Sequence, residues 1–133
     1  MTREHVVLDA SVGVKWIRRE SGSDVALRLV ERHVNGEITI VVPVIFVHEV
    51  LDVIRRRFGV ETARTHWKDW REAGILVAGI DDALVGSALE ISGDLGCTLY
   101  DAMAPALAQH IGAPLYSADR RAHGTLPYAR LIG

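Results

Sequence analysis

The sequence predicts a single α/β domain over residues 1–133, built on an open, mainly parallel β-sheet with helices on both faces. Short apolar runs alternate with amphipathic segments along the chain, which is the pattern of successive βαβ units. The 133 residues are 49% hydrophobic and contain no linker, repeat or low-complexity tract. The longest apolar run, Ile40 to Val47, is far shorter than the roughly 20 residues of a membrane-spanning helix. One domain with one core is therefore expected.

Five short apolar segments are predicted to be strands. They are His5–Asp9, Glu37–Val42, Ile75–Ile80, Pro114–Ser117 and Ala129–Ile132. The segments between them carry residues typical of helix boundaries. Ser21 to Asp24 is expected to form a capping box for a helix that ends at Gly36. Further helices are predicted from Pro43 to about Arg57, over Val60–Ala73, over Ala83–Leu95 after the cap Asp81-Asp82, and from Thr98-x-x-Asp101 to near Gly112.

Four acidic residues occupy positions at which an α/β fold would otherwise avoid a charge. Asp9 and Asp119 end apolar strand segments, Glu49 lies in an apolar helix, and Asp101 opens another. Ligands of such sheets bind outside the carboxyl ends of the strands, so the four side chains are expected near one edge. Carboxylate oxygens are hard ligands suited to Mg²⁺ or Mn²⁺, and such an ion can activate water against phosphorus. The pattern therefore predicts metal-dependent phosphodiester hydrolysis.

Each acid also has a purely structural interpretation. Asp9 and Ser11 could form an N-cap pair, Asp101 could complete a capping box, and Asp119 could belong to an ordinary turn. Glu49 is the hardest to explain in this way, because its helix neighbours are apolar and it is expected to be partly buried. Convergence of all four on one edge is the expectation that separates a functional site from four unrelated caps.

At these residues the chain resembles the PIN-domain nucleases, and among them the VapC-type toxins of toxin–antitoxin pairs. The resemblance follows the family's order from end to end and depends on the set of segments rather than on any single one. The segments are Val6-Val7-Leu8-Asp9-Ala10-Ser11, Pro43 to Arg56, Leu99-Tyr100-Asp101-Ala102 and Leu115-Tyr116-Ser117-Ala118-Asp119-Arg120-Arg121.

The resemblance implies an acidic quartet, Asp9, Glu49, Asp101 and Asp119, that binds Mg²⁺ or Mn²⁺ in a ribonuclease. Supporting roles are implied for Ser11 and Ser117, whose hydroxyl groups match positions that orient the acids. It also implies a small VapB-like antitoxin as partner, a homodimer, and an RNA substrate. The chain departs from the family pattern at Asp52, where Asn is common, and at His123-Gly124-Thr125, where a more regular helix start is expected. Asp52 is thereby a candidate for a fifth, supporting carboxylate, one turn from Glu49.

Contacts with RNA and with a partner are predicted from arginine clusters and from exposed aromatic residues. Arg18-Arg19, Arg55-Arg56-Arg57 and Arg120-Arg121 are candidates for phosphate binding, although cations at helix C-termini are common for structural reasons. Trp16 and Ile17 either pack inward or form a groove for the antitoxin, together with a stripe of Ala63, Trp67 and Trp70.

Charge, cysteine content and motif spacing narrow the range of other functions. The net charge of −2 becomes mildly basic when the four acids are counted as metal ligands, which permits a polyanionic substrate. The single cysteine and the absence of a signal-like N-terminus favour the cytoplasm. His48-Glu49 is not a zinc-protease motif, since Asp52 stands where the second histidine is required. A stand-alone nuclease and a catalytically silent binding module of the same fold remain open. An aspartyl phosphatase and a phospho-receiver domain fit less well.

Overall fold

The computed structural model describes residues 3–133 and contains a five-stranded sheet in the order β3-β2-β1-β4-β5. All four neighbouring pairs of strands are parallel, which confirms the predicted sheet. The strands are β1 (Glu4–Leu8), β2 (Ile38–Pro43), β3 (Leu76–Ala78), β4 (Leu115–Ser117) and β5 (Ala129–Leu131).

Seven helices connect the strands within the described part of the chain. They are α1 (Ala10–Val14), α2 (Ser23–Val34), α3 (Val44–Phe58), α4 (Val60–Glu72), α5 (Asp82–Leu95), α6 (Leu99–Ile111) and α7 (Arg120–His123). Among the helices of residues 3–133, none combines the length and apolar character required to cross a membrane.

The sheet separates two apolar layers. Val6 and Leu8 of β1 point into the layer that contains α1 to α4, whereas Val7 points into the layer of α5 and α6. Residues 102–108 of α6 are all buried, because this helix packs against the sheet on one side and against α5 on the other. An almost entirely apolar sequence is what such a doubly covered helix requires.

The strand order reverses between β1 and β4, and this switch point creates the site. Leu8 lies beside Tyr116 in the register of the two strands, and the Asp9 backbone N–H donates to the Tyr116 carbonyl at 3.0 Å. The carboxyl ends of β1 and β4 are thereby held together. In an open parallel sheet this crevice is where a ligand binds.

Two of the predicted caps are confirmed and one is wrong. Asp81 caps α5 by accepting from the Leu84 N–H, and Thr98 caps α6 by accepting from the Asp101 N–H. The capping box at Ser21 to Asp24 is absent, since α2 begins after Gly22, which has a positive φ and no side chain. The Ser23 hydroxyl instead accepts from the Glu20 N–H and donates to the Arg18 carbonyl. It thus fixes the preceding loop rather than the helix.

Candidate active site

Asp9 follows β1 directly and is held by hydrogen bonds from Ser11. Its Oδ2 accepts from the Ser11 backbone N–H at 3.0 Å and from the Ser11 hydroxyl at 2.6 Å. The Ser11 hydroxyl oxygen in turn accepts from the Ala118 N–H, at 2.9 Å, in the turn after β4. The expected N-cap pair therefore exists. Both bonds described for the Asp9 side chain use Oδ2, so Oδ1 remains available to a cation.

Asp119 has an equivalent position at the end of β4. It caps the short helix α7 by accepting from the Ala122 N–H through Oδ1, at 3.0 Å. Its own backbone N–H donates to the hydroxyl of Ser117, which is fully buried, at 3.0 Å. The turn Ser117 to Asp119 is thus fixed by two hydroxyl groups, those of Ser11 and Ser117.

Asp101 lies in the first turn of α6, and its carboxylate is free of the capping interaction considered above. The cap uses the Asp101 backbone N–H, which donates to the Thr98 hydroxyl at 3.1 Å. A complete capping box would also require the Asp101 side chain to accept from the Thr98 N–H. Among the hydrogen bonds of residues 3–133 this second bond is absent, so the charge is available for another role.

Glu49, in the second turn of α3, is exposed, which corrects the expectation that it would be partly buried. Its carboxyl group is nevertheless partly desolvated and lies near other carboxylates. Partial desolvation raises the pKa of Glu49 above its usual value, and the negative charges of Asp9 and Asp101 raise it further. The three acids therefore interact electrostatically.

All four acids line one open crevice of about 360 Å³, as the sequence predicts. Asp52 and Ser11 also line it, together with Arg56 from the last turn of α3. No salt bridge within residues 3–133 involves any of the four acids. A cluster of like charges without basic partners is stabilised by a bound cation.

The donor set matches a hard divalent ion, although the side chains are not closed around one. Within residues 3–133, no three His, Cys, Asp or Glu side chains converge closely enough to enclose an ion as they stand. The four carboxylates nevertheless offer oxygen ligands only, and the pKa of Glu49 is raised first by desolvation and then by the charges of Asp9 and Asp101. Mg²⁺ takes few protein carboxylates and keeps several waters, so an open arrangement of this kind suits it.

A second cavity of about 390 Å³ adjoins the crevice and shares Asp101 and Asp119 with it. Cys97, Thr98 and Arg121 line its other side. Burial raises the pKa of the Cys97 thiol, and the nearby charges of Asp101 and Asp119 raise it as well. The thiol is therefore protonated at neutral pH, which argues against a nucleophilic role. No sequence pattern predicts this second cavity, because Cys97 has no second cysteine or histidine at a metal-binding spacing.

The predicted arginine contacts are only partly brought to the site. Asp52 pairs with Arg55 at 2.9 Å and with Arg56 at 3.3 Å, so the additional carboxylate is compensated by α3 itself. Of the clusters, Arg56 lines the crevice and Arg121 lines the adjoining cavity. The remaining candidates are exposed side chains outside both linings: Arg18, Arg19, Arg55, Arg57 and Arg120.

Trp16 packs inward, which is the first of the two interpretations given for Trp16 and Ile17, although both side chains stay partly exposed. The Trp16 ring makes edge contacts with Phe46 and Trp70, at centroid distances of 5.6 and 5.9 Å. Its Nε1 donates to the Ala26 carbonyl at 3.0 Å, and Ile17 packs against the same core. The turn that follows α1 therefore closes over the apolar layer. A Trp16→Ala substitution is expected to destabilise the fold rather than to affect a partner selectively.

A groove that contains the partly exposed Trp67 lies between α3 and α4. An open groove of about 340 Å³ is lined there by apolar side chains with a polar rim, namely Leu51, Val60, Ala63 and Trp67 with His48, Asp52, Arg55 and Arg64. Asp52 lines both this groove and the acidic crevice. We refer to it below as the α3–α4 groove.

A protein-family profile and several solved structures match this chain. The PIN domain profile matches residues 6–125, which is most of the chain. Among curated protein sequences there is no match.

Three solved structures are similar over nearly the whole length of both chains. A toxin–antitoxin complex from Klebsiella pneumoniae superposes with a TM-score of 0.73 at 14% identity, covering 94% of this chain and 95% of that one. VapC20 of Mycobacterium tuberculosis, described as a toxin that cleaves the sarcin–ricin loop, gives 0.72 at 16% identity, with 91% and 95% covered. VapBC2 of Rickettsia felis, bound to a DNA fragment from its promoter, gives 0.71 at 15% identity, with 96% of each chain covered. At such identities the likeness concerns the fold.

Proposed function

This chain belongs to the PIN domain family, and from that premise we propose that it is a Mg²⁺- or Mn²⁺-dependent endoribonuclease, the toxin of a toxin–antitoxin pair. The observation that carries the proposal is the convergence of Asp9, Glu49, Asp101 and Asp119 on one crevice. None of the four makes a salt bridge within residues 3–133. A structural role at each position would not require the four carboxyl groups to share a cavity.

The four carboxylates would hold the metal ion. When bound there, a divalent cation supplies charge stabilisation at the phosphate and acidifies water. The protein's own residues would do the positioning. Ser11 fixes the rotamer of Asp9, and Asp52 holds Arg56 beside the crevice, where its guanidinium group can bind a phosphate of the RNA. Arg121 can do the same from the adjoining cavity.

The antitoxin is proposed to cover the α3–α4 groove. The groove has an apolar floor, a rim with both signs of charge, and continuity with the crevice through Asp52. Several solved structures of similar fold are toxin–antitoxin complexes, and this supports a protein partner of that kind. A partner in the groove could extend a basic side chain to the acids and displace the metal ion. The homodimer and the cytoplasmic location stay predictions.

A matched pair of surface variants tests the position of the partner. Val60 lines the groove at the start of α4 and is 54% exposed, whereas Val25 lies in the first turn of α2 and is 37% exposed. Val60→Glu should weaken co-purification with the small protein encoded beside this chain, and Val25→Glu should not. Equal retention of the partner by both variants would contradict the proposed groove.

Growth after induction tests the toxin assignment itself. Expression of the wild-type chain alone should arrest growth, and Asp9→Ala should relieve the arrest without loss of soluble protein. A stand-alone PIN nuclease is the better interpretation if the chain cleaves RNA but no partner co-purifies. A silent binding module is favoured if wild type and Asp9→Ala behave alike in both growth and cleavage.

A further inference from the structure

His123 is a fully buried histidine that the active-site chemistry described above does not use. It lies in α7, four residues after Asp119, with 0% of its surface exposed. Its two ring nitrogens both make short hydrogen bonds, one to α6 and one to β4. The sequence marked this position only as a departure from the family pattern. Its contacts lead to the backbones of two of the four acids.

The first contact reaches a carbonyl group that α6 leaves without its regular donor. In an α-helix the Asp101 carbonyl would accept from the N–H of residue 105, but that residue is Pro105 and has no N–H. The His123 Nε2 atom lies 2.6 Å from this carbonyl oxygen. A carbonyl can only accept, so Nε2 must carry the hydrogen and donate. His123 thus replaces the hydrogen bond that Pro105 cannot make.

The second contact reaches Asp119. The His123 Nδ1 atom lies 2.7 Å from the Ser117 hydroxyl, whose oxygen also accepts from the Asp119 backbone N–H at 3.0 Å. The neutral Nε2–H tautomer satisfies every group in this chain, because Ser117 then donates to Nδ1 while it accepts from Asp119. A continuous path of hydrogen bonds therefore connects the backbone of Asp101, through His123 and Ser117, to the backbone of Asp119.

We propose that His123 is a positioning residue that sets the distance between Asp101 and Asp119 and thereby the affinity of the crevice for a divalent cation. The inference rests on the proposed function. Ser11 makes the corresponding link between Asp9 and the Ser117–Asp119 turn. The two links hold three carboxylates from different elements in one frame. Groups that orient metal ligands typically change affinity by roughly 10- to 100-fold when removed.

Of the two links through His123, the one to Asp101 contributes more. Ser117 can rotate its hydroxyl group and still accept from the Asp119 N–H when Nδ1 is lost. The Asp101 carbonyl has no such alternative in its own helix, because of Pro105. Gln at position 123 can retain a donor near Nε2, whereas Asn reaches only as far as Nδ1. His123→Gln should therefore retain more of the wild-type metal affinity than His123→Asn or His123→Phe.

The test measures Mn²⁺ binding by calorimetry on the purified full chain, with thermal unfolding recorded for each variant. His123→Phe keeps an aromatic ring of similar volume and should bind Mn²⁺ at least about tenfold more weakly. The matched control is His33→Phe. His33 is also a buried histidine, with Nδ1 accepting from the Ile40 N–H and Nε2 at 2.7 Å from the Ala73 carbonyl, and it lines neither cavity of the site. Its substitution should lower stability and leave Mn²⁺ affinity unchanged.

The outcomes separate this inference from the proposed function. A wild-type chain that fails to bind Mn²⁺ overturns both. If wild type binds and His123→Phe binds equally well, or if His33→Phe weakens binding as much, the positioning role is wrong and the proposed function stands. If His123→Phe does not fold, the other two variants decide the matter. The positioning role of His123 is then wrong if His123→Gln binds Mn²⁺ no more tightly than His123→Asn does. In the wild type, nitrogen-15 NMR must find the Nε2–H tautomer, and an Nδ1–H tautomer would contradict the argument.

Discussion

Removal of the Ser11 hydroxyl group tests how the site is held together. Ser11→Ala deletes one oxygen atom and leaves the backbone cap of Asp9 intact, because the Ser11 N–H still donates to Oδ2. Two hydrogen bonds are lost, one to the Asp9 carboxylate at 2.6 Å and one from the Ala118 N–H at 2.9 Å. The substitution therefore removes the side-chain link between Asp9 and the turn after β4, leaves the pairing of β1 with β4 in place, and creates no large cavity.

The size of the effect follows from the chemistry of the two bonds. A hydrogen bond to a charged group contributes about 1.5–3 kcal/mol, and an unpaired buried N–H costs about 1–3 kcal/mol. Asp9 and Ala118 are only half-buried, so water can replace part of each bond. We expect the free energy of unfolding to fall by about 2 kcal/mol, which is just below the sum of the two lower limits, because water replaces part of each bond.

The assay is urea unfolding of the metal-free protein in the presence of a chelator. Ser87→Ala is the control, because the Ser87 hydroxyl makes an exposed bond to His110 at 2.9 Å. That variant should change stability by less than about 0.5 kcal/mol. A Ser11→Ala protein as stable as the control would refute the reasoning that this hydroxyl group joins the two strands.

Three further predictions concern charge and packing. Partial desolvation and the neighbouring carboxylates raise the pKa of Glu49 in the fold, so its ionisation disfavours folding. Glu49→Gln should therefore stabilise the metal-free protein at neutral pH, and the gain should shrink as the pH falls through the pKa of Glu49; a constant gain across this range in unfolding titrations would contradict it. Arg56→Ala should raise KM for RNA by several-fold with little change in kcat, whereas Arg57→Ala, on the exposed face of the same turn, should change neither. Gly13→Ala should destabilise by about 1–3 kcal/mol, because a Cβ there would lie 2.6 Å from the Phe46 ring; an unchanged urea midpoint would show that Phe46 moves freely.

The elements that fix the acids are predictable from the sequence because each depends on local rules. Each element boundary is specified by a short pattern: a strand followed by Asp, a proline between a strand and a helix, or Thr98-x-x-Asp101. The alternation of strands and helices in βαβ units then brings those boundaries to one edge of the sheet. Glu49 was located on the right helix but with the wrong exposure, since its apolar neighbours Phe46 and Val50 face the core while Glu49 itself points to the crevice.

The remaining features depend on tertiary contacts that no local pattern contains. Trp16 was as consistent with an exposed patch as with a core position, and its packing against Phe46 and Trp70 decides between them. The role of His123 depends on its contacts with Ser117 and with the Asp101 carbonyl, which are 6 and 22 residues away in the sequence. Only the fold brings these groups together. A histidine without ligand spacing carries little information in sequence, whereas its two buried hydrogen bonds carry a great deal in structure.

Asp101→Asn provides the most direct test of the central claim, that the four carboxylates bind a divalent cation for RNA cleavage. The substitution keeps the size of the side chain, and the bonds of residue 101 to Thr98 and His123 use only the backbone, so the fold should be retained. Cleavage of an RNA substrate by the wild-type chain should require Mg²⁺ or Mn²⁺ and stop on chelation. Asp101→Asn should be inactive at every metal concentration, while Asp69→Asn, an exposed acid on α4, should match wild type. Cleavage that survives chelation, or an Asp101→Asn protein with full activity, would contradict the account.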